Sequence, residues 1–247
     1  MTIRIVTVYP DLLGTYGDSG NGIVLEQRMK RRGLNVEHLR VNSHHSLPKA
    51  DLYVIGGGED GPQGLAAERL GNDTFFMEAV RKGAAIFAVC AGFQILTSSF
   101  VVTDGSSRPG LGLFDAETIR TDAPRAVGEL VVRASAELGI GEVLLSGFEN
   151  HGSRTTVGAG CATFATVLHG VGNGIGNIEG AIQESRVGTY LHGPALARNP
   201  DLADRLLVLA GSGTLSALDD ERALDLRAER ISSTGVAGAN GRGDFAR

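Results

Sequence analysis

Only two cysteines occur among the 247 residues, at positions 90 and 161. A pair without framework spacing argues against a disulfide-stapled secreted fold and points to a reducing compartment, most simply the cytoplasm. The chain also lacks any apolar run of about 18 residues, so no transmembrane helix is expected. Its N-terminus, MTIRIVTVYP, has too short an apolar stretch for a signal peptide and reads as a first strand. There is no basic excess: the formal charge is −5, which leaves no electrostatic footprint for nucleic acid. No internal repeat is visible. Nor is there a phosphate-binding fingerprint, because the triple glycine 56–58 has no Lys-Ser/Thr after it and no G-x-G-x-x-G spacing.

Glycine, by contrast, is abundant. Its 36 copies imply many tight turns and close backbone approaches. In the first hundred residues, strand and helix patterns alternate. Residues 3–9, 36–41, 51–55 and 84–89 suit strands; 23–32 and 65–81 suit helices, closed by Gly33 and Gly83. Such alternation predicts an α/β fold, a mostly parallel central sheet flanked by helices. After Ser99 short β-like runs dominate, at 118–121, 128–133, 143–148, 162–169, 178–183 and 187–191. These predict an antiparallel extension of the same sheet. Helices are expected at 201–209 and 215–231. One domain is expected over residues 1–231, with a disordered tail at 232–247.

In open α/β sheets, ligands sit at the carboxyl ends of the parallel strands. Three loops should gather there: the one holding Tyr16, Gly17, Asp18 and Asn21, the triple glycine after Ile55, and the junction at Cys90 in FAVCAGFQIL. Cys90 reads in two ways. It is either a small buried hydrophobe at a strand end or a nucleophile on a strained turn, its thiolate favoured by the following helix N-terminus. The triple glycine suits an oxyanion hole better than a phosphate cradle, with the amide after the nucleophile as a second donor.

A cysteine nucleophile needs a base. Of the six histidines, His44 and His45 lie in a polar loop, His38 in a strand-like segment, and His169 at a turn before Gly170. His151 and His192 remain. The position of His192, at a strand end like Cys90, favours it. Cys161 has no elbow and no obvious base nearby.

The stretch Val89-Cys90-Ala91-Gly92-Phe93-Gln94 resembles the nucleophile elbow of the class I glutamine amidotransferases, G-x-C-x-G-x-Q, with Ala88 in place of the first glycine. The resemblance implies Cys90 as nucleophile and oxyanion donors from about Gly57 and from Ala91. Residues 147–151 and Tyr190-Leu191-His192-Gly193 resemble the cobyric-acid-synthase-like branch, and imply His192 as the catalytic histidine. The usual H-x-E acid is missing, because position 194 is proline. That departure implies a Cys–His dyad, oriented by Asp18, by Glu149, or by a carboxylate that a partner lends across an interface.

A closer resemblance is to the glutaminase subunits of lipid II isoglutaminyl synthase. It rests on Tyr16-Gly17-Asp18-x-Gly20-Asn21, residues 55–60, Cys90, Arg125 before Gly128-Glu129, and 147–152, and covers about residues 3–210. It implies hydrolysis of L-glutamine, with ammonia passed to a MurT-like Mur ligase subunit. That partner would use ATP and Mg to amidate the D-glutamate α-carboxylate of lipid II. No metal or cofactor is implied in this chain, and the lipid-linked acceptor would bring it to the inner face of the membrane. Arg125 is implied in binding the glutamine α-carboxylate, a task suited to a guanidinium fork; its plainer reading is a solvated loop arginine after Pro124. Two rivals stand beside this reading: a glutaminase for another acceptor, such as a corrinoid, and a silent module that regulates a ligase.

Overall fold

A computed structural model describes residues 2–102 and 105–237. The first part alternates strand and helix: β1 (Ile3–Val8), α1 (Gly20–Arg31), β2 (Val36–Val41), β3 (Leu52–Ile55), α2 (Asp60–Asn72), α3 (Thr74–Arg81), β4 (Ala85–Val89) and α4 (Ala91–Leu96). Short strands follow: β5 (Ser99–Val101), β6 (Ser107–Pro109), β7 (Ala116–Arg120), β8 (Ala126–Ala134), β9 (Leu144–His151), β10 (Ser153–Val157), β11 (Ala165–His169), β12 (Ile178–Glu179), β13 (Ala181–Gln183) and β14 (Arg186–Thr189). The helices α5 (Ala195–Arg198), α6 (Pro200–Leu209) and α7 (Glu221–Ser233) come last.

The central sheet has the order β13-β14-β4-β3-β1-β2 and is parallel except for β13. Its two central strands are apolar throughout: every residue of β3 and β4 is buried, as expected where helices cover both faces. The edge strand β2, VEHLRV, alternates charge with aliphatic side chains and stays half-exposed.

The structure corrects four expectations. The helix expected over 65–81 is two helices, broken at Asp73. The Asp73 carboxylate accepts from the Phe76 amide at 2.9 Å and from the Leu47 amide at 2.8 Å, so a local N-cap outweighs helical continuity. The antiparallel strands mostly leave the central sheet. Only β13 and β14 join it, β14 running parallel to β4; β12-β11-β8-β9 form a four-stranded antiparallel sheet, while β10-β7 and β5-β6 form two-stranded ones. The run 178–183 is divided by Gly180, at φ 62°, where a side chain would collide with the Gly188 carbonyl.

The last helix begins later than expected, at Glu221, because the preceding segment is held open by arginines. Arg32 donates to the Ser216 carbonyl at 2.6 Å and Arg31 to the Asp219 carbonyl at 2.8 Å. Arg28 of α1 grips Asp204 of α6 through two bonds of 2.6 and 2.8 Å. It grips Asp220, just before α7, through two more of 2.7 and 2.9 Å. Of the expected tail, Ser232 and Ser233 close α7, and residues 238–247 lie outside the described residues. No helix among the described residues is long and apolar enough to cross a membrane.

Candidate active site

The carboxyl ends of β1, β3, β4 and β14 bring four loops together. Cys90 follows β4 directly, at φ 50° and ψ −109°, and serves as the cap of α4. A non-glycine residue there carries strain of about 1–3 kcal/mol and persists only where its surroundings over-determine it. They do so here. The Cys90 amide donates to the Thr189 carbonyl at 2.8 Å, and the Gly92 amide to the Gly56 carbonyl at 3.1 Å. Any side chain at Gly92 would meet the Ile55 carbonyl at 2.6 Å, which explains why the elbow needs glycine at that place. The helix it opens, α4, is wholly buried.

His192 stands just past β14. Its backbone is fixed against Phe148 by a reciprocal pair of bonds, 2.8 and 3.2 Å. Its Nδ1 lies 2.7 Å from Asp18 Oδ2, with both side chains fully buried. Asp18 is itself held by the amides of Gly57 at 2.8 Å and Gly193 at 3.3 Å. A carboxylate at Nδ1 makes that nitrogen the donor and leaves Nε2 to face the thiol. Nε2 has no hydrogen-bond partner among the described residues. Burial by itself disfavours the imidazolium. The charge of the Cys90 sulfur and the Asp18 carboxylate outweigh it and hold the ring's pKa well above that of ordinary histidine.

This geometry replaces the expected dyad with a Cys90–His192–Asp18 constellation inside one chain. Pro194, which stands where an H-x-E acid would be, packs instead on the loop that carries Asp18: a Cβ at Gly20 would meet its Cγ at 3.0 Å. Glu149, the other candidate acid of this chain, is engaged elsewhere, accepting from the amides of Val171 at 2.7 Å and Gly172 at 2.9 Å.

Gly57 also requires correction. A side chain there would meet His192 Cε1 at 2.5 Å, so glycine is needed for the approach of the ring, but its amide is turned to Asp18 and away from an oxyanion role. Gly58 is the neighbouring member of that loop. Ala91, the other expected donor, is the first residue of α4 and directly follows Cys90.

Arg125 lies exposed, its Nε donating to Asn150 Oδ1 at 2.5 Å and its Nη2 to the Asn150 carbonyl at 3.2 Å. Asn150 Nδ2 donates to the Tyr16 hydroxyl at 2.6 Å, and the Tyr16 ring stands edge-on to His192 with centroids 4.9 Å apart. Arg125 is thus linked to the histidine through Asn150 and Tyr16, both of which lie in the motifs above but carry no assigned role there.

His151 is buried, stacked on Tyr190 at 3.9 Å, with Nδ1 3.1 Å from the Ser153 carbonyl and Nε2 3.4 Å from Glu149. Cys161 stands apart; its Sγ contacts Gln183 Oε1 at 3.0 Å, and burial pushes its thiol pKa up. His38 bonds to Thr7 at 2.9 Å and Glu26 at 3.1 Å, a structural arrangement. Behind the elbow lies a buried polar chain: Gln63 donates to Gln94 at 2.9 Å, Gln94 to the Tyr190 hydroxyl at 3.3 Å, and Tyr190 bonds Thr155 at 2.6 Å.

Residues 4–200 match the CobB/CobQ-like glutamine amidotransferase domain family. The chain is 35% identical over 209 residues to the Staphylococcus aureus (strain N315) lipid II isoglutaminyl synthase (glutamine-hydrolyzing) subunit GatD, covering 82% of this chain and 83% of that one. With the subunit of the same name from Streptococcus pneumoniae it shares 29% identity over 212 residues, 84% of this chain and 80% of that one. In fold it is similar to a glutamine amidotransferase of Thermotoga maritima, with a TM-score of 0.53 at 15% identity over 94% of this chain and 92% of the other. By the match over most of its length, this chain belongs to the CobB/CobQ-like family of glutamine amidotransferases.

Proposed function

We propose that the chain is the glutaminase subunit of a lipid II isoglutaminyl synthase. It hydrolyses L-glutamine to glutamate and ammonia, and passes the ammonia to a MurT-like Mur ligase partner. That partner, with ATP and Mg, amidates the D-glutamate α-carboxylate of lipid II to D-isoglutamine in peptidoglycan synthesis. The observation that carries the chemistry is the buried His192–Asp18 pair beside a strained Cys90. The similarity to two subunits of that name, over most of both chains, supports the choice of acceptor.

The reaction is acyl transfer in two halves. The Cys90 thiolate attacks the side-chain amide carbon of glutamine, and the oxygen that gains charge meets the Ala91 amide at the start of α4 and an amide of the 56–58 loop, for which Gly58 replaces Gly57. His192, protonated at Nε2 and held at Nδ1 by Asp18, gives its proton to the departing nitrogen, and ammonia leaves. Water then attacks the γ-glutamyl thioester while His192 takes its proton, which releases glutamate and the thiol. Preorganised donors of the oxyanion type contribute about 3–4 kcal/mol each in other acyl-transfer enzymes. Arg125 binds the substrate α-carboxylate at the mouth.

The test is glutaminase turnover of the chain with its co-expressed ligase-like partner, wild type against Cys90→Ala. Loss of ammonia release in the variant and amidated lipid II in the wild type support the reading. Unchanged release in Cys90→Ala defeats the chemistry, and amidation of a corrinoid instead of lipid II defeats the acceptor.

A further inference from the structure

We propose that Tyr16 is a positioning residue which, through Asn150, ties the guanidinium of Arg125 to the ring of His192. The inference rests on the reading of Arg125 as the carboxylate-binding group. Three observations carry it.

Asn150 is engaged at both ends of its amide. Oδ1 accepts from Arg125 Nε and Nδ2 donates to the Tyr16 hydroxyl, at 2.5 and 2.6 Å. The two partners fix the amide's orientation, since a flip would set its NH2 against a guanidinium that can only donate. Arg125 Nη2 also donates to the Asn150 carbonyl, so one whole edge of the fork leans on a single residue.

Tyr16 also covers the histidine. Its ring meets that of His192 edge-on, at 67°, and lies 6.2 Å from that of Phe148, whose backbone pairs with His192. Tyr16 is 48% exposed while His192 is fully buried, so this ring is part of what separates the imidazole from solvent. The groups facing His192 are then Asp18 at Nδ1, Cys90 beyond Nε2, and the Tyr16 ring in a T-shaped contact.

The third observation is backbone strain. Tyr16 has φ 55° and ψ 20°, a left-handed conformation that a bulky residue adopts only under constraint, and Gly17 continues it at φ 80°. Asp18 is the next residue. The turn therefore touches His192 at two points, and a movement of the Tyr16 hydroxyl is transmitted to the ring edge and, through one residue, to the carboxylate at Nδ1.

A carboxylate that takes the Nε–Nη2 edge of Arg125 displaces Asn150 from it. When Asn150 yields, the hydroxyl bond that stands Tyr16 against His192 is altered, and the base registers that the substrate's far end is seated.

The coupling is testable without glutamine. In a Cys161→Ala background, the rate of Cys90 alkylation by iodoacetamide is followed against pH for the parent, Tyr16→Phe, Arg125→Ala and the double variant. Tyr16→Phe keeps the ring and loses only the hydroxyl. Each single change is expected to move the midpoint of the profile upward, because a looser cover lets water screen the attraction between His192 and the thiolate, which outweighs burial in holding the ring charged. The double variant is expected to move it no further than the larger single change, as for groups in one network. An unmoved profile in Arg125→Ala, or shifts that add, overturns the proposal.

With glutamine and the partner present, Tyr16→Phe is expected to raise KM about fivefold, the loss of one ordinary hydrogen bond, and to have no further effect once Arg125 is alanine. Independent, multiplying effects on KM overturn it equally. A parent enzyme that releases no ammonia defeats the glutaminase reading, and the alkylation series still decides the coupling.

Discussion

The unusual backbone at Cys90 separates it from the other cysteine. Cys161 sits in an ordinary turn with Gln183 as its neighbour, so Cys90→Ala is expected to abolish glutamine hydrolysis while Cys161→Ala keeps most of it. Comparable losses from the two changes, measured as ammonia release, would defeat that assignment. The two inner histidines divide in the same way. His192→Ala removes the group between thiol and carboxylate and should cost about 10²–10⁴-fold in kcat or more. His151→Ala removes a ring stacked on Tyr190 and should act chiefly on stability. Asp18→Asn tests the carboxylate itself. Its amide would leave the imidazole in the wrong tautomer or without support for the imidazolium, a change that costs about 10⁴-fold in a serine protease triad. A kcat within threefold of wild type would mean that Asp18 is no more than a structural anchor for Gly57 and Gly193.

At the scale of elements, Glu179 of β12 makes a clear prediction about pH. The residue is fully buried; its Oε1 accepts from the Tyr190 amide and from the Thr189 hydroxyl at 3.0 Å, while Oε2 has no partner among the described residues. Burial pushes its carboxyl up to about 8, although those two hydrogen bonds oppose the shift. The folded state therefore holds a proton that the unfolded chain releases near pH 4.5. Stability from this group is present at low pH and is lost as pH rises from about 4.5 to about 8, by at most about 1.4 kcal/mol per pH unit. Glu179→Gln keeps the shape without the proton, so its urea midpoint should fall less steeply than that of wild type between pH 5 and 8. Parallel slopes would mean that Glu179 is already ionised.

The same scale shows what was readable in advance. The alternation from β1 to β4 and the junction at Cys90 are legible because buried strands, amphipathic helices and an elbow glycine are local patterns. The strand end at His192 is legible for the same reason. The break at Asp73 is hidden in the sequence by a helical pattern that continues across it, and the cap shows only in the folded chain. The departure of β8, β9, β11 and β12 into their own sheet has no local signature, since a strand does not encode its neighbour. Asp18 was one of two acids that could orient His192, and only the folded distance separates it from Glu149. Asn150 and Tyr16 carry no catalytic pattern of their own and emerge only from their bonds to Arg125 and their contact with His192.

At the scale of the molecule, Arg28 fastens the C-terminal helices to the first one. Arg28 is 6% exposed and faces two carboxylates, so Arg28→Ala leaves Asp220 without this counter-charge and Asp204 with Arg32 alone, 2.6 Å away. Breaking a fully buried pair costs about 3–5 kcal/mol. Asp204 is partly exposed, so a loss nearer 2 kcal/mol is expected in a urea titration, with earlier proteolysis in the segment before α7. An unchanged midpoint and cleavage pattern would show that the apolar face of α6 suffices to dock this end.

The sheet order also has a consequence for how the protein is made. The strand β14 lies directly beside β4, yet almost a hundred residues of chain separate them, and the carboxylate and imidazole they help to join are 174 residues apart. On the ribosome, Cys90 emerges long before its base. Until residues 186–192 have been translated and have slotted in beside β4, the thiol has neither the imidazolium nor the Thr189 carbonyl that holds its strained backbone. The nascent chain is thus chemically unarmed, and reactivity arrives as one of the last acts of folding.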